Sequence, residues 1–548
     1  MLFFDCARHN ENCIDPISPL GYIKSAGGCP FPPNTCEPCQ KFPDLENEIR
    51  KTTQHLKELL SRHQALRTEA NYRHPPIIRD LPVEILSRIF EAYLPDDISL
   101  QERLEPHQRI SKIALPLKLG AVCHAWRKIA WSTPKLWTQP YITDRCNILE
   151  EWVHRSGSLP LDIFVSEAYI TTDNVFEWDG GMKCMQLVAR CADRWRDLDL
   201  MLGNSWVRYL FSEATKVTRV FGLRHFVFMP VYRGETGHSA VPDEGEILET
   251  WPLFTIKPHK LTMMGVWPGR PTHLDLSSIT HLRGMFWNRE NWLDILQQVP
   301  QLISCEFDSY KEGWYYHTTR PRSERHVLLE HLQHVSIHGS DDCSITMLDF
   351  FAAPSLREFS CHPDTRNALQ TFTSFFARSR CSLTRLEINT DSFTPRTSFI
   401  SLLDELPSLE DLTLNGDMSN YSNHNVHALD SFLQRLASTA QQTVQERQEA
   451  KPFLPFLESL TYKGDSKFPW ARVPDFFGLP SDFGNPDRRP FKSLNVTLED
   501  SRKPQKGIAQ DVIVRLIELR HVGATINYTL SYDHKIKTVR WENYVSDN

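Results

Sequence analysis

A short apolar pattern recurs through the last two thirds of the chain and limits its fold more than any other feature. An apolar residue is followed by two variable residues, a second apolar residue, one variable residue and a third apolar residue. It occurs as Trp195/Leu198/Leu200, Leu223/Phe226/Phe228, Leu261/Met264/Val266, Leu282/Met285/Trp287, Leu302/Cys305/Phe307 and Leu332/Val335/Ile337. It continues as Leu356/Phe359/Cys361, Leu383/Leu386/Ile388, Leu409/Leu412/Leu414, Leu457/Leu460/Tyr462 and Phe491/Leu494/Val496. The last two members alternate, as the inward side chains of a strand do. From Leu302 the units start 30, 24, 27, 26, 48 and 34 residues apart. The interval of 48 is about twice 24, which implies a degenerate unit hidden near residues 430–440.

The segments between triplets read as return paths. In Ser401–Leu409 a short apolar helix stops at Pro407 and a triplet follows; Trp292–Leu302 repeats the design around Pro300. A period of roughly 20–29 residues with one short strand per unit is the leucine-rich-repeat signature. The expected fold class is therefore α/β, with an irregular leucine-rich-repeat solenoid of parallel strands and outer helices over residues 150–548.

Composition agrees with a large buried core. Of 548 residues, 41% are hydrophobic and 24% charged, within the globular range. The net charge of -7 gives no drive toward nucleic acid. No apolar run reaches the roughly 18–20 residues of a membrane span. The start, Met1–Asp5, lacks a basic region and a long apolar stretch, so it does not read as a secretion signal. The thirteen cysteines then read as reduced thiols of a cytoplasmic or nuclear protein.

Three further regions precede the repeats. Residues 1–43, rich in Cys and Pro, read as an irregular arm. Residues 44–73 carry Leu45, Ile49, Thr52, Leu56, Leu59, His63 and Leu66 at alternating spacings of four and three, a heptad seam on one helix. That seam fits docking on its own chain or a coiled coil with another. After Pro75-Pro76, residues 75–140 form a small helical module. Asp80 reads as a helix cap, Pro82 as a first-turn residue and Glu84 as a match for the positive helix end. Ile85, Leu86, Ile89 and Phe90 make one apolar stripe. A second helical run holds Leu117, Leu119, Val122, Cys123, Trp126, Ile129 and Ala130 and stops at Thr133-Pro134. A module of ~60 residues is too small to bury this much apolar surface alone, so part of it should meet a partner.

The stretch Leu81-Pro82-x-Glu84-Ile85-Leu86-x-x-Ile89-Phe90, with Val122-Cys123-x-x-Trp126 and Ser132-Thr133-Pro134-x-Leu136-Trp137, resembles the F-box-like domain of mushroom-forming fungi. The layout, a heptad helix before it and repeats after it, is similar to that family as well. The charged spacer from Pro95 to Leu115 is longer than the family pattern. The resemblance implies a non-enzymatic adaptor: a substrate-recognition subunit that binds a Skp-type adaptor and cullin scaffold of a ubiquitin ligase and presents a protein substrate, here unknown. Residue by residue it assigns adaptor-binding or domain-core positions to Leu81, Pro82, Ile85, Leu86, Ile89, Val122, Cys123, Trp126 and Trp137. The alternative is a repeat scaffold whose F-box-like module is structural or serves a non-ligase complex.

Other constellations point to no chemistry. Cys36 and Cys39 have metal-ligand spacing, but a structural zinc site takes four ligands, usually two such pairs. Free thiols or a local disulfide fit better, and no metal or cofactor is expected. There is no phosphate-binding glycine loop and no nucleophile elbow. Asp341-Asp342 and the cluster Arg320, Arg322 and Arg325 read as solvated loops. Trp287, Trp292, Trp314, Tyr315 and Tyr316 crowd two adjacent units, as interface anchors or as core.

Overall fold

The computed structural model describes residues 37–73, 81–94, 115–140, 142, 146–166, 178–229, 255–264, 274–285, 289–309, 326–339, 345–361, 368–389, 396–416, 424–440, 453–464, 468–484, 488–499, 508–532 and 535–541. The chain divides into two units, Met1–Tyr93 and Leu94–Asn548.

Among the described residues the first unit holds two helices. Helix α1 (Glu37–Arg73) has 37 residues and a length of about 55 Å. It begins seven residues ahead of the boundary read from composition. Pro38 and Pro43 lie in its first two turns, where at most one intrahelical bond is lost. Helix α2 (Val83–Ala92) starts one residue after Pro82, which occupies the cap position without a side-chain cap; the Pro82 carbonyl accepts from Ile85 N at 3.0 Å and Leu86 N at 3.1 Å. The expected cap, Asp80, lies outside the described residues.

Among the described residues of the second unit, α3 (Leu115–Val122) and α4 (His124–Trp131) come first, followed by a 3-10 turn (Pro134–Trp137) and α5 (Cys146–Arg155). The sequence suggested one helical run here; the chain instead breaks at Cys123, which is extended (φ -159) and whose Sγ accepts from Trp126 N at 3.4 Å. Gly120 makes the fold-back fit: a Cβ there would stand 3.2 Å from the Trp131 ring, and the Gly120 carbonyl accepts from Arg127 Nε at 2.8 Å. Trp137 is buried, donates its indole N–H to the Ala130 carbonyl at 2.8 Å and meets Trp152 edge-on at 4.9 Å. Arg155 stacks over Trp131 and Trp137 at 5.3 and 5.2 Å. Replacing Trp137 with Phe keeps most of the packing but removes one buried hydrogen bond, so a loss of about 1–2 kcal/mol is expected in urea unfolding.

One sheet organises the rest. Its strands are β1 (Leu161–Ser166), β2 (Trp195–Met201), β3 (Val220–Phe228), β4 (Thr255–Met264), β5 (His281–Met285) and β6 (Ser304–Ser309). A short pair, β7 (Val327–Leu328) and β9 (Phe351–Ala352), stands apart from it; β8 (His334–Gly339) and β10 (Glu358–Cys361) belong to the main sheet. There follow β11 (Arg385–Asn389), β12 (Asp411–Asn415), β13 (Ser459–Gly464), β14 (Ser493–Glu499), β15 (Thr525–Tyr532) and β16 (Lys535–Thr538). Neighbours follow chain order and pair in parallel until β16, which turns back antiparallel on β15. Parallel neighbours need a crossover each. Helices supply many of them: α6 (Trp178–Arg190), α7 (Asn204–Ala214), α8 (Arg289–Leu296), α9 (Ala368–Ser379), α10 (Arg396–Asp404), α11 (His424–Ser438), α12 (Val473–Phe477) and α13 (Gln510–His521).

Register explains the apolar pattern. Ile163, Leu198, Phe226, Leu261, Leu282, Cys305, Val335, Phe359, Leu386, Leu412, Leu460, Leu494 and Ile526 stand side by side across thirteen parallel strands, all buried. Two residues on, a second buried row runs from Val165 through Phe307 and Leu414 to Tyr528. Two expected triplets are corrected. Leu261 and Leu282 hold the middle position and not the first, so the true units are Pro258/Leu261/Met263 and Ile279/Leu282/Gly284. A slip of three residues puts one apolar side chain in place of another, which is why the sequence did not resolve it. The hidden unit near 430–440 is also absent: β12 pairs directly with β13, and the long interval carries α11. Conversely, β1 and β15 extend the rows beyond the eleven triplets. The two units formed around Pro300 and Pro407 run helix, proline, strand as read.

Candidate functional site

Helix α2 separates its apolar side chains by face. Leu86 and Phe90, four apart, are buried. Pro82, Ile85, Ile89 and Ala92, at spacings of three and four, form a second stripe that is exposed; Ile85 and Ile89 are 43% and 45% accessible. A ten-residue helix with apolar residues on two faces leaves one without cover, a property of surfaces that receive partners.

In the second unit the junction of α3 and α4 gives a separate exposed group. Val122 is 60% accessible, Cys123 is exposed and Trp126 half-buried. The nine sequence-assigned positions thus divide. Pro82, Ile85, Ile89, Val122 and Cys123 are open; Leu81 and Trp126 are partly open; Leu86 and Trp137 are interior. Leu86 and Trp137 stand on the domain-core side of what the resemblance allowed, with side chains turned away from solvent. Trp137 is held by Ala130 and Trp152. The spacer at residues 95–114 lies outside the described residues.

Residues 78–143 match the family model described as F-box-like. An F-box-like domain is therefore present. It is a protein-interaction module and not a catalytic one. No curated protein matches the chain. The second half of the F-box-like domain continues into the sheet unit: Thr138 O accepts from Asp162 N of β1 at 2.9 Å, and Trp137 packs on Trp152 of α5.

The solvent side of the sheet is the second candidate surface. Arg283 and Glu306 stand between the two buried rows there, with His225, Lys260 and His281 just before the first row and His338 just after the second, side chains that the apolar pattern did not single out. Arg283 lies 3.6 Å from Glu306 and 3.2 Å from the buried Asp308; His338 Nε2 lies 3.3 Å from Glu306. Arg385 bridges Glu358 at 3.1 Å and Asp411 at 3.6 Å. Toward the C-terminus the same side carries amides and hydroxyls, with Asn527 donating to Asn495 at 2.8 Å and Thr497 and Thr529 bonded at 2.7 Å.

Burial opposes ionisation of Glu306, but the His338 hydrogen bond and the Arg283 charge outweigh it and hold the carboxyl below its ordinary value. A carboxyl depressed in the folded state contributes stability above its unfolded pKa, near 4.5, and loses it as the pH falls further. Wild type should therefore lose more stability than Glu306→Gln between pH 5.5 and 3.5, read as urea midpoints. Equal losses in both proteins would remove Glu306 from the acid response.

Burial pushes the thiols of Cys305 and Cys361 well above the ordinary thiol value and that of Cys381 up to about 11, which disfavours the reactive thiolate. Among the described residues no group of three or more His, Cys, Asp or Glu side chains is arranged to hold a metal ion. No described helix is long and apolar enough to cross a membrane. Cys36, the arginine cluster at 320–325, Trp287, Trp314, Tyr315, Tyr316 and Asp341-Asp342 lie outside the described residues. Trp292 is core, 4.2 Å from the Phe307 ring.

Proposed function

We propose that the chain is the substrate-recognition subunit of an SCF-type ubiquitin ligase. The F-box-like domain docks on the Skp-type adaptor, which connects it to the cullin, and the sheet unit is a leucine-rich-repeat body that holds a protein target. The observation that carries the reading is the uncovered Pro82/Ile85/Ile89 stripe within a domain matched to the F-box-like family. The long polar sheet face in the same chain supports the second half. The subunit does no bond chemistry; it raises the effective concentration of a target beside a charged conjugating enzyme.

The test is co-purification of the full chain with its host's Skp-type adaptor, followed by a blot for cullin. Adaptor and cullin together are the expected result. A well-folded chain that retains neither overturns the proposal. Adaptor without cullin identifies a non-ligase scaffold, in keeping with a domain whose second half is built into the sheet unit.

A further inference from the structure

The heptad helix is the largest feature that the F-box-like reading leaves without a role. Leu45, Leu56, Leu59, Leu60 and Leu66 of α1 are each about half accessible. Ile49 is half-buried, and Thr52 and His63 are exposed. An isolated helix gains most of its stability from packing an apolar face, and this one has a continuous face with nothing described over it. We propose that α1 pairs with α1 of a second copy as an antiparallel coiled coil centred on residue 54.

The seam sets the possible registers. With Ile49, Leu56 and His63 at one seam position and Leu45, Thr52, Leu59 and Leu66 at the other, antiparallel pairing matches residues of opposite type. Centring on residue 54 places Ile49 against Leu59, Thr52 against Leu56 and Leu45 against His63 of the second copy. Each polar seam residue then meets a leucine. The centre nearly coincides with the helix midpoint, residue 55, so the overlap is close to complete. The same register sets Glu48 beside Arg62 and Lys41 beside Glu69 of the second copy, each twice by symmetry.

Parallel pairing in register is less favourable. It stacks His63 on His63 and Thr52 on Thr52, and it sets Arg62 beside Arg67 of the other chain, two like charges that repel. The antiparallel arrangement also sends the two chains out at opposite ends, roughly 57 Å apart along the axis at 1.5 Å per residue. Two copies of the following module then have room to act separately, and a target with two epitopes would be held by both.

The experiment is light scattering and sedimentation on the full chain. The expected mass is twice 63.6 kDa, falling to the monomer in Leu56→Asp/Leu59→Asp, with the far-UV circular dichroism recorded to show that the rest stays folded. Arg62→Glu decides the orientation. It brings a second carboxylate up to Glu48 in the antiparallel dimer and should weaken it about tenfold; adding Glu48→Arg should restore it. In a parallel dimer Arg62→Glu would tighten association by relieving Arg67. A monomeric wild type, a dimer indifferent to the leucine variant, or tightening by Arg62→Glu each overturns the proposal.

Discussion

Arg489→Met is expected to lower the stability of the sheet unit by about 3–5 kcal/mol, the net of four buried acceptors losing a charged donor and of the relief from keeping a cation in the interior. Arg489 is 8% accessible. Its Nε donates to Leu454 O at 3.0 Å, Nη1 to Leu436 O at 2.9 Å, and Nη2 to Phe453 O at 2.7 Å and Thr439 Oγ1 at 2.6 Å. One guanidinium just ahead of β14 therefore clasps the C-terminal end of α11 and the residues that lead into β13. The Leu436 carbonyl belongs to the last turn of α11, where carbonyls lack intrahelical partners and a cation is favoured. Methionine fills similar space but leaves three carbonyls and a hydroxyl without this donor. Each bond to a charged group is worth roughly 1.5–3 kcal/mol, offset by the cost of keeping a cation in the interior. Lysine, a single point of charge, cannot serve four acceptors in a fork, so Arg489→Lys should recover only part of the loss. The check is the urea midpoint followed by tryptophan fluorescence; an unchanged midpoint in Arg489→Met would show that the clasp contributes nothing.

Arg489 also marks a limit of the sequence. It sits in the polar stretch Asp487-Arg488-Arg489-Pro490, and nothing local tells that its neighbour carbonyls would be inaccessible to water. The strand rows were legible because alternation along a strand is a local property. Their register at Leu261 and Leu282 was not, because Pro258, Leu261 and Met264 are all able to occupy an apolar place. The break at Cys123 was hidden for a similar reason: Leu117, Leu119, Val122, Trp126 and Ile129 keep a helix-like rhythm through it, and the fold-back depends on Gly120 meeting Trp131 across the turn. On α2 the sequence showed which residues are apolar but not which face is covered. Ile85 and Leu86 differ by one position and by their whole environment.

That one-position difference yields the largest expected effect on binding. Ile85→Asp/Ile89→Asp should weaken association with the Skp-type adaptor about a thousandfold or more. Each isoleucine still has nearly half of its surface open, so covering it contributes on the order of 1 kcal/mol, about half the value for burying a whole side chain. A carboxylate pressed into an apolar interface without a partner adds roughly 1–3 kcal/mol each. Together these exceed about 4 kcal/mol, at ~1.4 kcal/mol per tenfold. Alanine at the same two positions removes only the first contribution and should cost about tenfold to thirtyfold, so the ratio between the two double variants separates lost contact from introduced charge. Neither change touches Leu86 or Phe90, the buried side of α2, and the helix should survive both. Val122→Asp tests the second exposed group independently, because Val122 lies in the other unit and is 60% accessible. The measurement is calorimetry of the purified chain against the adaptor. If Ile85→Asp/Ile89→Asp binds within threefold of wild type, the α2 stripe is not the docking surface. If Val122→Asp alone abolishes binding, the adaptor is held from the α3–α4 junction.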